Sequence, residues 1–573
     1  MRHRAFRTSI PCLLTVLLVG LLAGCDPAPA ATPSPSPTPT AQPPATSPAQ
    51  PPAAGTALST FATADFSGPG ICAMCHAGLS DEAGSDVSLT TAWRSTMMAN
   101  AAKDPVWQAK VSAEVARLPG LAAVIEEKCV TCHMPMATTQ AGVDGQAVAA
   151  LGGGFLDPAH PLHEAGIEGV SCTLCHQIGA AGLGTAGSFT GGYTVDTGTE
   201  PPDRQAFGPY EQPFGQPMRM HSGFVPLYGA HTAGAELCAT CHNLFTPYVD
   251  AAGNVLGQFP EQTPYTEWQH ISFGGAAPCQ GCHMPRAAGG VVISTMPGRL
   301  SPRQPFFQHW FVGGNALLLD VLARWGGELE VTAGAAHFET TRARVVDQIG
   351  GRAARLTVES LALEQGVLAA DLKVTALTGH KFPTSFPSRR AWLHVTVADA
   401  AGTVIWESGA QNADGTIAGN AADVDAAAFE PHYDVISRAD QVQIYEPIMG
   451  DDEGRVTYTL LRAAQYLKDN RILPAGADKA ALPSEIAVYG AAAGDANFLG
   501  GSDLVTYRIE VGQAGGPFLL SAELLYEPLS YQFVADLLAG GTELTERFGR
   551  YYRQADRAPL VVAAIEPSTV GVQ

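Results

Sequence analysis

Five times along the chain, two cysteines separated by two residues are followed at once by a histidine. The groups are CAMCH (Cys72, Cys75, His76), CVTCH (Cys129, Cys132, His133), CTLCH (Cys172, Cys175, His176), CATCH (Cys238, Cys241, His242) and CQGCH (Cys279, Cys282, His283). They take up ten of the twelve cysteines; Cys12 and Cys25 lie near the N-terminus. A disulfide framework has no use for a histidine after every second cysteine. A zinc ribbon closes one site with two CxxC pairs, so an odd number of pairs strands one. A thioredoxin-like centre needs one CxxC in a βαβ unit, not five in glycine- and proline-rich sequence. Covalent haem accounts for all three positions. The two thiols add to the haem vinyl groups as thioethers, and the adjacent histidine is carried under the iron as its proximal ligand. The spacing predicts five covalently bound haem c groups, with His76, His133, His176, His242 and His283 as proximal ligands.

What such irons do depends on the sixth coordination position. A histidine or methionine there gives a low-spin iron suited to electron transfer, whereas an open position admits a substrate. His160 and His163, in DPAHPLHEAGIEGVSC, precede the third motif, and His163 is the preferred distal candidate. His221 and His231 flank the approach to the fourth motif, with His221 preferred, and His270 in YTEWQHISF precedes the fifth. His309 stands in FFQHWFVGGN, among aromatics that would wall off a haem face. The first motif has no spare histidine nearby, but TAWRSTMMANAAKDPVW follows it. Met97 or Met98, with Met98 preferred, offers a thioether that would raise that haem's potential relative to bis-histidine haems. His394 in AWLHVTV follows strand alternation and reads as a strand residue.

With WRSTMMANAAKDPVW, GVSCTLCH, ELCATCHNL, TPYTEWQHISF plus CQGCHMP, and HWFVGGN, roughly residues 66–315 resemble multihaem c-type cytochromes. The resemblance is to the large group related to the tetrahaem c-554-like electron carriers. It implies haems packed in close pairs and chains, held by helices and long loops, and electron transfer as the activity. It also implies that Met97 or Met98 occupies the place of a distal ligand near the first haem. Further along, TGHKFPTSFPSRRAWLHVTVADAAGTVIWESG and YLKDNRILPAG resemble the C-terminal part of the larger members. There a histidine in a GHxxPT loop reaches back to a haem, which implies His380 as another distal ligand. The glycine usual after the threonine is Ser385 here.

The elements that must position these residues can be read around them. A basic start and an apolar run from Cys12 to Leu22 make residues 1–24 a secretory signal, and LLAGC looks like a lipobox that would leave Cys25 lipidated. The Pro-, Ala-, Ser- and Thr-rich stretch completes a tether over 25–58, too proline-dense to bury a core. A pentahaem domain over 59–315 follows. NALLLDVLARWGGELE and AAHFETTRARVVDQIGG have helical apolar spacing, the second stopped by Gly350 and Gly351, and form a helical connector over 316–350. From 351 to 573 the pattern changes to alternation, as in VLAADLKVTAL and DLVTYRIEVG, and predicts a mostly antiparallel β-sandwich-like domain. YTLLRAAQYLKDN and YQFVADLLAGGTELTERFGRYY read as helices laid on it. The expected fold class is therefore α+β, a loop- and helix-rich cytochrome region followed by the β-domain.

A formal net charge of −21 over 573 residues repels nucleic acid and anionic membranes, so no nucleic-acid partner is expected. No nucleophile elbow, phosphate loop or zincin motif is present. The expectation is an exported, periplasmic or outer-surface protein, anchored through its N-terminal lipid, that passes electrons to redox partner proteins. It is more an electron carrier than a catalyst. The alternative is a multihaem oxidoreductase with one open haem, acting on a small nitrogen or sulfur compound. Enough candidate ligands exist to fill every iron, and no CxxCK variant appears.

Overall fold

The computed structural model of the protein describes residues 55–271, 277–512 and 516–570. The signal segment, Cys25 and the tether up to residue 54 lie outside the described residues. Among the described residues no helix is long and apolar enough to cross a membrane.

Each CxxCH group sits on a short helix: Pro69–His76, Ala122–His133, Cys172–Cys175 with His176 as its C-cap, Ala235–His242 and Cys279–His283. Residues i, i+3 and i+4 share one face of a helix, so a single turn brings both thiols and the imidazole to the same side. Long irregular stretches connect these turns.

The helix Pro105–Arg117 ties this region to the rest. Asp104 caps it by accepting from the amides of Val106 and Trp107, and Pro105 starts it at the position where a missing N–H costs nothing. Unusually for a helix with Lys110 and Glu114, it is buried almost all round. The two charges pair at 2.9 Å, Lys110 Nζ donates to the Tyr458 carbonyl at 2.6 Å, and Leu460 N donates to Glu114 Oε1 at 2.7 Å. Its neighbour in space is the C-terminal helix Glu543–Tyr552.

The β region holds two larger sheets. In one, Val367–Ala376 lies between Ala354–Glu364 and Ser502–Glu510, with register Ser502↔Thr375 through Glu510↔Val367. In the other, Arg390–Ala398 pairs antiparallel with Phe518–Glu527 and, on its other edge, with Val404–Ser408 and Ile444–Tyr445. Leu368, Leu372 and Val374 of the first sheet share one core with Val395, Val397, Leu520 and Leu524 of the second. Each such side chain contributes about 2 kcal/mol on leaving water. Helices Ala316–Arg324, Ala335–Ile349 and Tyr531–Leu538 add Leu319, Leu322, Phe338 and Leu537 to that core, which also takes Val106, Ala109 and Ala113. The protein is α+β, with mostly antiparallel sheets.

One expected helix is absent. YTLLRAAQYLKDN forms a single 3-10 turn, Leu460–Arg462, and then the strand Gln465–Asp469 paired with Pro447–Gly450. Leu460, Leu461, Ala463 and Tyr466 pack with Ile125, Val249 and Phe259, and this tertiary contact overrides the local helix preference. The other expected helices and the strand position of His394 follow the sequence pattern.

Candidate haem-attachment sites

Four of the five motif histidines are oriented through their Nδ1 atoms. His76 donates to the Ile293 carbonyl at 2.7 Å, His133 to Ala101 at 3.0 Å, His176 to Phe207 at 2.6 Å and His283 to Val312 at 2.5 Å. A backbone carbonyl can only accept, so the proton is on Nδ1 and the Nε2 lone pair is left for a metal. Burial also favours the neutral ring at four of the motif histidines. It lowers the pKa of His76 and His176 and takes those of His133 and His242 down to about 4. Trp107 stacks on His133, ring centres 4.7 Å apart and 7° from parallel.

Two of the histidines proposed for the sixth position meet motif histidines. His309 lies 6.2 Å from His176, centre to centre, with the planes 23° apart. His380 lies 6.2 Å from His283 at 21°. Two imidazoles that shared one ion through Nε2 bonds of about 2 Å, with roughly another 1.1 Å to each ring centre, would stand about 6 Å apart. Both separations match that distance. His309 donates its Nδ1–H to Phe307 O at 3.2 Å and His380 to Lys381 O at 2.9 Å, so each keeps Nε2 free. Burial lowers the pKa of both, His309 to about 3. Ser385, in the His380 loop, has φ 73°, the left-handed region that favours glycine, and its hydroxyl donates to Gln262 Oε1 at 2.5 Å.

The remaining candidates are placed differently. His163 is buried with both nitrogens engaged, Nδ1 on the Phe155 carbonyl at 2.8 Å and Nε2 on Glu330 at 3.0 Å. The Glu330 carboxylate raises its pKa and favours an imidazolium, which has no lone pair for iron. As a distal ligand His163 is therefore corrected to an ion-pair partner. His221 is exposed at the end of the helix Gln216–Ser222. His270 is half-buried and donates Nδ1–H to Thr266 O at 2.8 Å. The Met98 carbonyl accepts from Val170 N, two residues before Cys172, and Met97 packs against the large core. That segment therefore lies along the approach to the third motif.

The thiols show how the five sites adjoin. None of the ten motif cysteines is in a disulfide, and Cys282 is the exposed one among them. Cys72 and Cys172 are close enough to perturb each other's titration, as are Cys132 and Cys241, and Cys238 and Cys279. Cys175 is close enough to Cys241 to be perturbed by it. The first motif thus meets the third, the third the fourth, and the fourth both the second and the fifth.

Sequence reasoning passed over the residues that hold these ligands. Asn243, next to His242, accepts from Thr266 N at 3.3 Å and Thr266 Oγ1 at 3.1 Å. Glu267 and Lys381 belong to a buried ionic group with Asp469 and Arg471, and Lys381 is next in sequence to His380. A signal was present, since Glu267 and Lys381 carry the one formal charge each in TPYTEWQHISF and TGHKFPTSFP.

One further cluster has metal-ligating side chains: His432, Asp495 and Asp503. The Gln443 and Asn470 amides are oriented by Tyr433 N and Glu446 N, which donate to their oxygens, so both NH2 groups face His432 Nδ1. The proton must then be on Nε2, where it is donated to Asp495 Oδ2 at 2.9 Å. That nitrogen has no lone pair left for a cation.

No family model matches the chain, and no curated protein matches it. A solved structure, a penta-heme cytochrome c552 from Thermochromatium tepidum, is similar over 77% of this chain and 83% of that one, at 17% identity and a TM-score of 0.42.

Proposed function

We propose that the protein is an exported pentahaem electron carrier, held to a membrane through a lipid on Cys25, that passes electrons along its haems to redox partner proteins. The observation that carries this reading is the pair of imidazole couples, His176 with His309 and His283 with His380, set at the separation two axial ligands on one iron need. In the bound state each haem supplies a one-electron couple. The chain's own residues fix the tautomers of His76, His133, His176, His283, His309 and His380 through backbone carbonyls. The thiol neighbourhoods order the sites as first, third, fourth and fifth, with the second joining at the fourth. The exposed Cys282 puts the fifth site nearest to solvent and makes it the expected exit.

Electron paramagnetic resonance of the oxidised holoprotein tests the reading, together with optical spectra of the reduced form before and after carbon monoxide. Intact mass gives the haem count. The expected result is five haems, low-spin signals alone and no carbon monoxide shift. A high-spin signal with a clear shift would overturn the carrier in favour of an oxidoreductase for a small nitrogen or sulfur compound. A mass without haem would overturn both.

A further inference from the structure

Glu267 stands at a junction that haem attachment alone does not require. It lies on the short helix Pro264–Gln269, between the fourth and fifth motifs, and is 1% exposed. One carboxylate oxygen, Oε2, accepts from the Lys381 amide at 3.0 Å and from the Thr384 hydroxyl. The other, Oε1, pairs with Arg471 Nη1 at 3.0 Å. Lys381 Nζ and Arg471 Nη2 in turn reach Asp469 Oδ2, both at 2.7 Å. The four charges are buried, and two cations balance two anions.

The bonds from Glu267 bracket the loop that presents His380. The amide of residue 381 and the hydroxyl of residue 384 are held on one carboxylate, and these are the residues that fix where the imidazole of residue 380 stands. The same helix is tied to the fourth motif through Thr266 and Asn243. We propose that Glu267 is a positioning residue for the fifth haem. It belongs to the haem-bearing half, yet it holds a loop of the β half so that His380 stands opposite His283. This inference rests on the reading of His380 as an axial ligand.

A buried carboxylate that accepts from an amide and a hydroxyl on one oxygen and faces a guanidinium with the other cannot be replaced by an amide without loss. In E267Q the side-chain NH2 has to face either Arg471 or the loop donors, and donor against donor pushes the loop off. T384V removes only the hydroxyl bond and leaves the ion pairs standing.

The full-length holoprotein is prepared as wild type, H380A, E267Q and T384V. Low-temperature resonance spectra, carbon monoxide difference spectra and haem-to-protein ratios are then compared. In H380A the expected outcome is one haem in five turned high-spin and reactive to carbon monoxide. E267Q is expected to give the same signature at an unchanged haem ratio, and T384V a smaller fraction of it. Added imidazole is expected to return the E267Q spectrum to low spin, which a merely destabilised fold would not do. If H380A opens a haem while E267Q and T384V stay wholly low-spin, the positioning role is overturned and the axial reading survives. If H380A opens none, the axial reading of His380 fails, and the inference with it. If E267Q does not accumulate, T384V decides, and a wild-type spectrum there overturns the proposal.

Discussion

An imidazole whose Nδ1–H is held by a backbone carbonyl has one lone pair to give and one orientation in which to give it. His309 has that arrangement, in a site dry enough to take its pKa down to about 3. On the function proposed above, its replacement by methionine would exchange a nitrogen donor for a thioether at the third iron. Axial ligand changes act within a span of about 0.8 V, and methionine raises the potential. H309M is expected to shift one of the five couples upward by on the order of a hundred millivolts, read by a spectroelectrochemical titration, while the other four stay in place. An unchanged titration would mean that residue 309 does not face iron. At this scale the attachment residues were legible because CxxCH is a local pattern. His309 and His380 were legible as candidates, but their partners were not. His309 is 133 positions from His176 and His380 is 97 from His283, and only the folded chain brings them together. The His163–Glu330 pair is hidden for the same reason, being 167 positions apart.

Among the elements, the helix Pro105–Arg117 has the most at stake, since Trp107 on its first turn stacks against His133. Asp104 caps that turn and sits in a site that pushes its pKa up to about 6, burial outweighing the two amide bonds. In the unfolded chain it titrates near ~3.9. The folded state therefore binds the proton more tightly, and stability falls as pH rises between those two values and is level above them. D104A removes the cap and is expected to cost about 1 kcal/mol. D104N keeps the cap and loses the charge, so it should flatten the fall between pH 4 and 6. Chemical denaturation of the three forms at pH 4, 5, 6 and 7 checks both outcomes, and parallel curves for D104N and wild type would count against the buried-charge account. Elements whose burial repeats at a local period, such as Val367–Ala376, could be read from the sequence. Leu460–Asp469 could not, because the residues it packs on, Ile125, Val249 and Phe259, come from elsewhere in the chain.

At the scale of the whole molecule, the boundary drawn near residue 350 separates two compositions but not two cores. Val106, Ala109 and Ala113 of the haem-bearing half lie in one cluster with Leu393, Leu524 and Phe548 of the other. Arg117 crosses to Asp536 at 2.8 Å, and Lys110 and Glu114 reach Tyr458 and Leu460. A chain ended at residue 350 would expose that apolar face to water and strip Lys110 and Glu114 of their carbonyl and amide partners. It would also lack His380, and with it the second imidazole of the fifth site. The expected product is a fragment that aggregates or carries fewer than five haems, read by the haem-to-protein ratio and size-exclusion chromatography. A monomeric fragment with five low-spin haems would mean that the β half is an independent module appended for docking. The shared core argues against that, because the helix whose Trp107 stacks on His133 packs into it through Val106, Ala109 and Ala113.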